Sequence, residues 1–347
     1  MTRITSELLR RLPKAELHCH LDGSVRPETL IDLGREYRVD MPADDPEALR
    51  AYMRVDDARN LEDYLERFRV TLSVMQTADA LERIAYELAV DAGRDGVRYI
   101  EVRYAPVLNT RDGLTLGAAV EAPLRGLARA ERDGGPIGRV IICGLRNLSP
   151  DRSLELARLA VSYKSHGVVA FDLAGGELGN PASAHAAAFA YAREHDLACT
   201  CHAGEGADAS SVREAVHICG AHRIGHATRL IEDESLTQFV NDRRLALEIC
   251  LTSNVQTRAV DSYEQHPLRE YFDRGMNVVL NTDNRLMSDT TLTSEYQHAA
   301  TELGFSFDEL SEIAINGFAS AFLPWEEREQ LIAQARAEIA ALNGGSA

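Results

Sequence analysis

The chain alternates short apolar runs rich in β-forming residues with longer stretches of helical pattern. The eight β-rich runs span residues 15–20, 97–104, 139–147, 168–175, 197–204, 223–228, 246–254 and 277–284. Apolar residues in the stretches between them recur at spacings of three and four, as on one face of a helix. Such alternation is typical of repeated βα units around a parallel sheet, and eight parallel strands close a barrel. The sequence therefore predicts an α/β protein of the (β/α)8, or TIM-barrel, class.

Nothing in the sequence divides the chain into parts. A length of 347 residues would allow two domains of ordinary size, but α/β barrels commonly exceed that size as one unit. No linker or repeat interrupts the pattern before the tail "NGGSA". We predict a single domain over residues 1–347. The long gap from 21 to 96 holds two helical patterns, at 61–76 and 78–96, so extra helices are expected after the first strand.

Charge and cysteine content limit the partners of the protein. A net charge of −17 disfavours binding to nucleic acid or to an anionic membrane, whereas small neutral or cationic substrates fit. No apolar run is long enough to span a membrane, and the first residues lack the apolar segment of a secretory signal. The six cysteines never form C-x-x-C and are too sparse for a disulfide scaffold. We expect a cytoplasmic protein with reduced cysteines, and the sequence leaves its oligomeric state open.

Two histidines flank a cysteine in the first β-rich run, "AELHCHLDG" at residues 15–23. Successive side chains of a strand point to opposite faces, so His18 and His20 share one face while Cys19 points to the other. Two nitrogen donors therefore converge. The pair alone does not establish a metal site, because histidines also serve as ordinary core residues.

Polar residues gather where the predicted strands end, which is where TIM barrels keep their chemistry. These residues are His18, His20 and Asp22 after the first strand, His202 and Glu205 after the fifth, His226 after the sixth, and Asp283 and Asn284 after the eighth. Imidazoles and a carboxylate from separate strands at one mouth suit Zn²⁺, with Fe²⁺ or Co²⁺ also possible. We predict a metal centre there.

The motifs, taken in order, resemble the adenosine deaminases of the metal-dependent amidohydrolase superfamily over nearly the whole chain. They are "PKAELHCHLDGSVRPETL", "GVRYIEVRYAP", "DLAGGE", "CHAGE", "RIGHATRLIEDE", "EICLTSNVQT", "NTDNRLMSDTTLTSEY" and "NGFASAFLPWEE". The resemblance implies a single-domain (β/α)8 barrel with one zinc ion per chain. The residues matching the family's metal ligands are His18, His20, His202 and Asp283. Water completes that site.

The same resemblance implies hydrolytic deamination of adenosine, and of 2′-deoxyadenosine, to the inosine product and ammonia. A zinc-activated water attacks C6 while Glu205 protonates N1, and His226 and Asp283 take or orient the proton of that water. The substrate contacts implied are His20, Asp22 at the ribose 5′-hydroxyl, the backbone of Gly175 at N3, and Asn284 at N7. An apolar lid would consist of Leu61, Tyr64 and Phe68.

Two positions depart from the family pattern. Asn284 stands where typical members carry an aspartate, and Gly176 stands where many relatives have an acidic residue. Purine N7 is a bare acceptor, and an amide donates a hydrogen bond at every pH. Asn284 is therefore expected to preserve recognition of N7, while the consequence of Gly176 is not predicted.

The motifs distinguish among several other functions. A two-metal hydrolase would need a bridging lysine on the fourth strand, and "VVAFDLAG" has none. Cytidine-type zinc deaminases use H-x-E with P-C-x-x-C, which is absent. An adenine deaminase is closer, but those relatives tend to carry glutamate at the position of Asp22. A deaminase of a 5′-modified adenine nucleoside, such as aminodeoxyfutalosine, stays open. A barrel that only binds would leave the ligands and the acid at one mouth unexplained.

The remaining histidines fall on helical or loop stretches and are interpreted as surface or packing residues. They are His166, His185, His195, His217, His222, His266 and His298.

Because side chains alternate between the two faces of the first strand, neighbouring substitutions should differ in their effect on metal binding. His20→Ala should lose the bound metal, whereas Cys19→Ala should retain about one ion per chain, because only the histidine faces the mouth. Metal content of both purified variants after exhaustive dialysis checks this. Retention by His20→Ala, or loss by Cys19→Ala, would contradict the predicted face of the strand.

Overall fold

The computed structural model describes residues 4–56 and 61–344. Within these residues, eight parallel strands pair in chain order from first to last. The last strand meets the first through a parallel bridge between Cys19 and Asp283. The Asp283 amide donates to His18 O at 2.9 Å, and the His20 amide donates to Asp283 O at 2.7 Å. The sheet thus closes into a barrel, and the predicted (β/α)8 class is confirmed.

The strands are β1 Lys14–His20, β2 Val97–Tyr104, β3 Ile137–Leu145, β4 Val168–Ala174, β5 Ala198–Ala203, β6 Arg223–His226, β7 Ala246–Ile249 and β8 Val278–Leu280. The helices are α1 Ser6–Arg11, α2 Pro27–Tyr37, α3 Pro46–Met53, α4 Leu61–Leu65, α5 Phe68–Val74, α6 Ala78–Arg94, α7 Leu116–Arg132, α8 Pro150–Ser162, α9 Ala186–Glu194, α10 Ala209–His217, α11 Glu234–Asp242, α12 Leu251–Gln256, α13 Leu268–Asp273, α14 Leu292–Glu302, α15 Phe307–Ala319 and α16 Trp325–Gly344. Helices α2 to α6 lie between β1 and β2, so the expected extra helices are present.

Several predicted strands are too long at their carboxyl ends. The run at 246–254 contains β7 only as far as Ile249, because Leu251–Gln256 forms helix α12. The runs at 223–228 and 277–284 also end early, where His226, Ala227 and Asp283 adopt φ angles of 62°, 55° and 59°. Left-handed backbone cannot continue a strand. These turns aim the polar side chains that follow the strands.

Apolar side chains fill the amino-terminal end of the barrel, and the cavity opens at the carboxyl-terminal end. A continuous apolar cluster, with members such as Ile100, Leu156 and Ile224, fills the space between the strands and the surrounding helices. A second cluster joins Tyr99 and Val279, near the amino ends of their strands, to residues of the last two helices. The carboxyl ends of the strands therefore carry the cavity.

All six cysteines are buried free thiols. Cys19 Sγ lies 3.5 Å from Ser24 Oγ, away from the neighbouring imidazoles. In the described part of the chain, no helix has both the length and the apolar character required to cross a bilayer.

Candidate functional site

A cavity of about 450 Å³ opens at the carboxyl ends of the strands. Nearly all the candidate site residues predicted from the sequence line this cavity. Those lining it are His20, Asp22, Leu61, Tyr64, Phe68, Gly175, His202, Glu205, His226, Asp283 and Asn284. His18 is fully buried beside the same cluster. The fold therefore brings the side chains predicted at the strand ends together in one place.

Imidazole nitrogens and one carboxylate converge at the base of the cavity. The Nε2 atoms of His18 and His20 each lie 3.3 Å from Asp283 Oδ1. His20 Nε2 is also 3.1 Å from His202 Nε2. In addition, His18, His202, His226 and Asp283 each offer a ligand atom within 4.8 Å of the others. The possible ligand atoms of five side chains therefore lie around one point.

This donor set fits a metal ion. The Nε2 atom of His18 is buried without a hydrogen bond. Two imidazole nitrogens 3.1 Å apart repel each other unless a proton or a cation lies between their lone pairs. Histidine nitrogens with a carboxylate oxygen are ligands that zinc prefers. Metal binding would satisfy these groups together.

Buried carboxylates behind two of the rings set the direction of their nitrogens. His18 Nδ1 lies 2.8 Å from Glu248 Oε2, and His202 Nδ1 lies 3.1 Å from Asp172 Oδ2. A carboxylate accepts the Nδ1 proton, so the Nε2 lone pair of each neutral ring faces the cavity. The two rings are therefore held as ligands before any metal arrives.

A buried arginine keeps both carboxylates charged. Arg103 donates to Asp172 Oδ2 at 3.1 Å and to Glu248 Oε2 at 2.9 Å. Burial alone would raise the pKa of Glu248, but Arg103 and Arg223 hold that pKa well below its ordinary value. The pKa of Asp172 is likewise well below its ordinary value, since His202 and Arg103 outweigh its burial. Ionised carboxylates can only accept hydrogen bonds.

Glu205 and His226 lie side by side in the cavity wall. His226 Nε2 is 3.4 Å from Glu205 Oε2, and both residues are buried. Next to them, Asp283 Oδ2 accepts a hydrogen bond from Ser253 Oγ at 2.7 Å, which leaves Oδ1 for the histidines. A carboxyl group beside an imidazole at a metal-suited cluster is an arrangement for proton transfer.

Glu177 is a buried site residue that the sequence reasoning missed. Its Oε1 accepts the amide of Gly204 at 2.7 Å, and its Oε2 accepts the amides of Glu205, Gly206 and Ala207 at 3.0, 2.6 and 3.2 Å. The hydroxyl of Ser211 also donates to it. One carboxylate thus holds the loop that carries Glu205. Its only signal in the sequence is an acid after two glycines in "LAGGE".

Two side-chain oxygen atoms in the cavity wall lack hydrogen-bond partners. Asp22 Oδ1 and Asn284 Oδ1 are buried without hydrogen bonds. Burial raises the pKa of Asp22 to about 7. A Cβ atom at Gly23 would lie 1.8 Å from Asn284 Oδ1, so only glycine allows Asn284 its position. Both side chains line the cavity, so a ligand bound there could contact them.

The predicted lid residues line the cavity but do not belong to one helix. Leu61 and Tyr64 lie on α4, while Phe68 begins α5 after a turn at 66–67. The Tyr64 hydroxyl lies 2.9 Å from Ser288 Oγ, which ties α4 to the loop after β8. Together these side chains give the cavity an apolar wall.

Comparisons with known proteins agree with this geometry. Residues 13–337 match the family model described as "Adenosine deaminase". The chain is 41% identical over 351 residues to an adenosine deaminase of Mycobacteroides abscessus, covering 95% of this chain and 96% of that protein. It is 42% identical over 321 residues to a probable adenosine deaminase of Dictyostelium discoideum, covering 92% of this chain but 42% of that longer protein.

A similar solved structure is that of an adenine deaminase from Arthrobacter aurescens. Its TM-score is 0.88 at 28% sequence identity, and the match covers 94% of this chain and 99% of that one.

The contacts of Glu177 generate a prediction about the loop at 204–207. Glu177→Gln should speed hydrogen exchange of the amides of this loop by roughly tenfold or more, because hydrogen bonds to a charged acceptor are lost. Exchange measured by mass spectrometry checks this. Glu214→Gln is the matched control, since Glu214 accepts the Ser183 amide at 3.0 Å and does not contact the loop. Equal exchange in parent and Glu177→Gln would contradict the role of Glu177.

Proposed function

Because the chain belongs to the adenosine deaminase family and is a hydrolytic deaminase, we propose that its substrate is adenosine, together with 2′-deoxyadenosine. Water adds its oxygen to C6, and the C6 amino group leaves as ammonia. The observation that carries this proposal is the juxtaposition of Glu205, His226 and the metal-suited cluster in one cavity. These are the groups that hydrolysis at C6 requires.

We propose zinc as the metal, with His18, His20, His202 and Asp283 as its ligands. The approach of His20 Nε2 to His202 and Asp283, at 3.1 and 3.3 Å, supports this choice over one that includes His226. Three nitrogens and one oxygen leave a position open, as in catalytic zinc sites. A zinc ion there supplies a nucleophile at neutral pH, because it lowers the pKa of a bound water to about 7.

Glu205 is the proposed proton donor to purine N1. Protonation of N1 makes C6 electron-poor and so prepares it for attack. N1 keeps this proton in the product, one proton of the attacking water leaves on the ammonia, and the other restores the Glu205 carboxyl group. Its backbone is fixed by Glu177, which accepts the Glu205 amide at 3.0 Å. His226, whose Nε2 lies 3.4 Å from Glu205 Oε2, is the proposed contact of the attacking oxygen.

The remaining cavity residues are proposed to select a nucleoside. Asp22 accepts a hydrogen bond from the ribose 5′-hydroxyl, Gly175 donates its amide to N3, and the Asn284 amide donates to N7. The unpartnered, buried state of Asp22 Oδ1 supports its role, because a buried polar atom without a partner is costly unless a ligand satisfies it. Leu61, Tyr64 and Phe68 cover the bound nucleoside as an apolar lid.

Deamination of free adenine is the second candidate. The similar structure of an adenine deaminase, with its TM-score of 0.88, favours it. The same C6 chemistry would operate, but Asp22 would then have no sugar to bind. We prefer the nucleoside, since the family model and the curated relatives bear the name adenosine deaminase.

Six buried free thiols suit a reducing compartment. We propose that the protein acts in the cytoplasm.

Glu205→Gln tests the assignment of the proton donor. With zinc bound, kcat for adenosine should fall by about 10² or more, because a transition-state proton transfer is lost. Zinc content and the affinity for inosine should stay within a few-fold of the parent. Steady-state rates, metal analysis and product titration measure these quantities.

The control variant is Glu232→Gln, on an exposed turn where Glu232 pairs with Arg229. It should leave all three quantities unchanged. Near-normal kcat in Glu205→Gln would refute the proton-donor role, and loss of zinc would instead place Glu205 among the ligands.

A further inference from the structure

A chain of three hydrogen bonds runs behind His226, away from the cavity. The Leu268 amide lies 3.0 Å from His266 Nδ1. His266 Nε2 lies 3.2 Å from Asn254 Oδ1, and Asn254 Nδ2 lies 3.0 Å from His226 Nδ1. All three side chains are buried, with exposed fractions of 1% for His226, 0% for Asn254 and 3% for His266.

The direction of these hydrogen bonds is set by the first donor. A backbone N–H can only donate, so His266 Nδ1 must offer a lone pair. The ring proton of His266 then lies on Nε2 and is donated to Asn254 Oδ1. Burial lowers the pKa of His266 to about 3, which agrees with a neutral ring.

The orientation of the Asn254 amide follows from His266. If the amide were turned over, its NH2 group would face the Nε2–H of His266, and two buried donors would oppose each other. With the oxygen toward His266, the NH2 group donates to His226 Nδ1. The ring proton of neutral His226 must then lie on Nε2, the atom 3.4 Å from Glu205 Oε2.

We propose that His266 and Asn254 are positioning residues that fix the Nε2-protonated tautomer of His226. The inference rests on the proposed function for its catalytic meaning. An Nε2–H donates a hydrogen bond to the attacking oxygen and cannot accept a proton from it. His226 thus orients and stabilises that oxygen, and the proton of the water goes to a carboxylate of the site.

The same three hydrogen bonds, which we call the relay, would keep His226 out of the proposed metal coordination. His18 and His202 have carboxylates behind Nδ1, at 2.8 and 3.1 Å, so their Nε2 atoms carry lone pairs. His226 has an amide donor behind Nδ1, so its Nε2 carries a proton instead. A nitrogen that bears a proton cannot bind a metal. The group that faces Nδ1 therefore determines whether Nε2 of that ring can bind a metal or instead donates a hydrogen bond.

Nitrogen NMR of the zinc-loaded protein tests the proposal without using activity. Two-bond and three-bond ¹H–¹⁵N correlations of ¹⁵N-histidine protein distinguish the tautomers, and the His226 signals are assigned by their loss in His226→Gln. The parent should show a protonated Nε2 on His226. A protonated Nδ1 on His226 would overturn the proposal.

Asn254→Asp should reverse the tautomer. A carboxylate at position 254 accepts from both rings, so His226 should become protonated on Nδ1 while His266 is unchanged. We expect kcat to fall about tenfold or more with KM within a few-fold. The matched control is Asn109→Asp, whose parent amide donates to Met75 O at 2.8 Å, and it should leave the His226 tautomer unchanged. An unchanged tautomer in Asn254→Asp would overturn the relay.

A second pair of variants covers the case in which Asn254→Asp does not fold. His266→Phe removes the donor to Asn254 and should give His226 signals of mixed tautomers, whereas His266→Gln can still donate and should restore the parent pattern. His226 signals in His266→Phe identical to those of the parent would refute the relay. A protein with the expected tautomers but no activity on adenosine would refute the proposed function and leave the relay standing.

Discussion

The site depends on Arg103, which is buried beneath the cavity between two carboxylates. Its guanidinium holds Asp172 and Glu248 ionised at 3.1 and 2.9 Å, and these in turn orient His202 and His18. Arg223 extends the network, because its Nε donates a hydrogen bond to Glu248 Oε1 at 2.6 Å. Buried ion pairs contribute little net stability, and breaking one costs about 3–5 kcal/mol because a charge is left without its partner. The network is best understood as a means of fixing imidazoles rather than of stabilising the barrel.

Local backbone geometry completes that arrangement at the strand ends. His226 and Asp283 occupy left-handed conformations, at φ 62° and 59°, which non-glycine residues seldom adopt and which concentrate at functional sites. The turn at Asp283 is held by hydrogen bonds to β1 on both sides. The barrel closure between β8 and β1 therefore also sets the distance from Asp283 to the two histidines of β1. The same hydrogen bonds therefore close the barrel and position the site residues.

Short-range rules predict the barrel and the polar residues at its strand ends, whereas Gly175 and the lid residues follow only from the family resemblance. Alternating periodicity gives the strands, and polar residues just beyond them mark the mouth. Glu177, Asn254 and His266 escape such rules, since their roles arise from contacts made only in the fold. Glu177 binds amides 27 to 30 positions away, and the signal of His266 is that of an ordinary loop histidine. The predicted strand at 246–254 is too long because helix α12 has only six residues, which is too short a stretch for a helical period to be recognised.

The central claim, that this cavity deaminates adenosine, is tested most directly by a panel of aminopurines given to the zinc-loaded protein. Loss of the adenine absorbance band yields kcat/KM for adenosine, adenine, AMP and a 5′-extended adenine nucleoside. A site built to bind a hydroxyl rejects a ligand that lacks it, so adenosine should exceed adenine by about 10³ or more. AMP should also be poor, because its phosphate would lie beside the Asp22 carboxylate. Turnover of adenine equal to that of adenosine, preference for the 5′-extended nucleoside, or no turnover of any aminopurine would contradict the account.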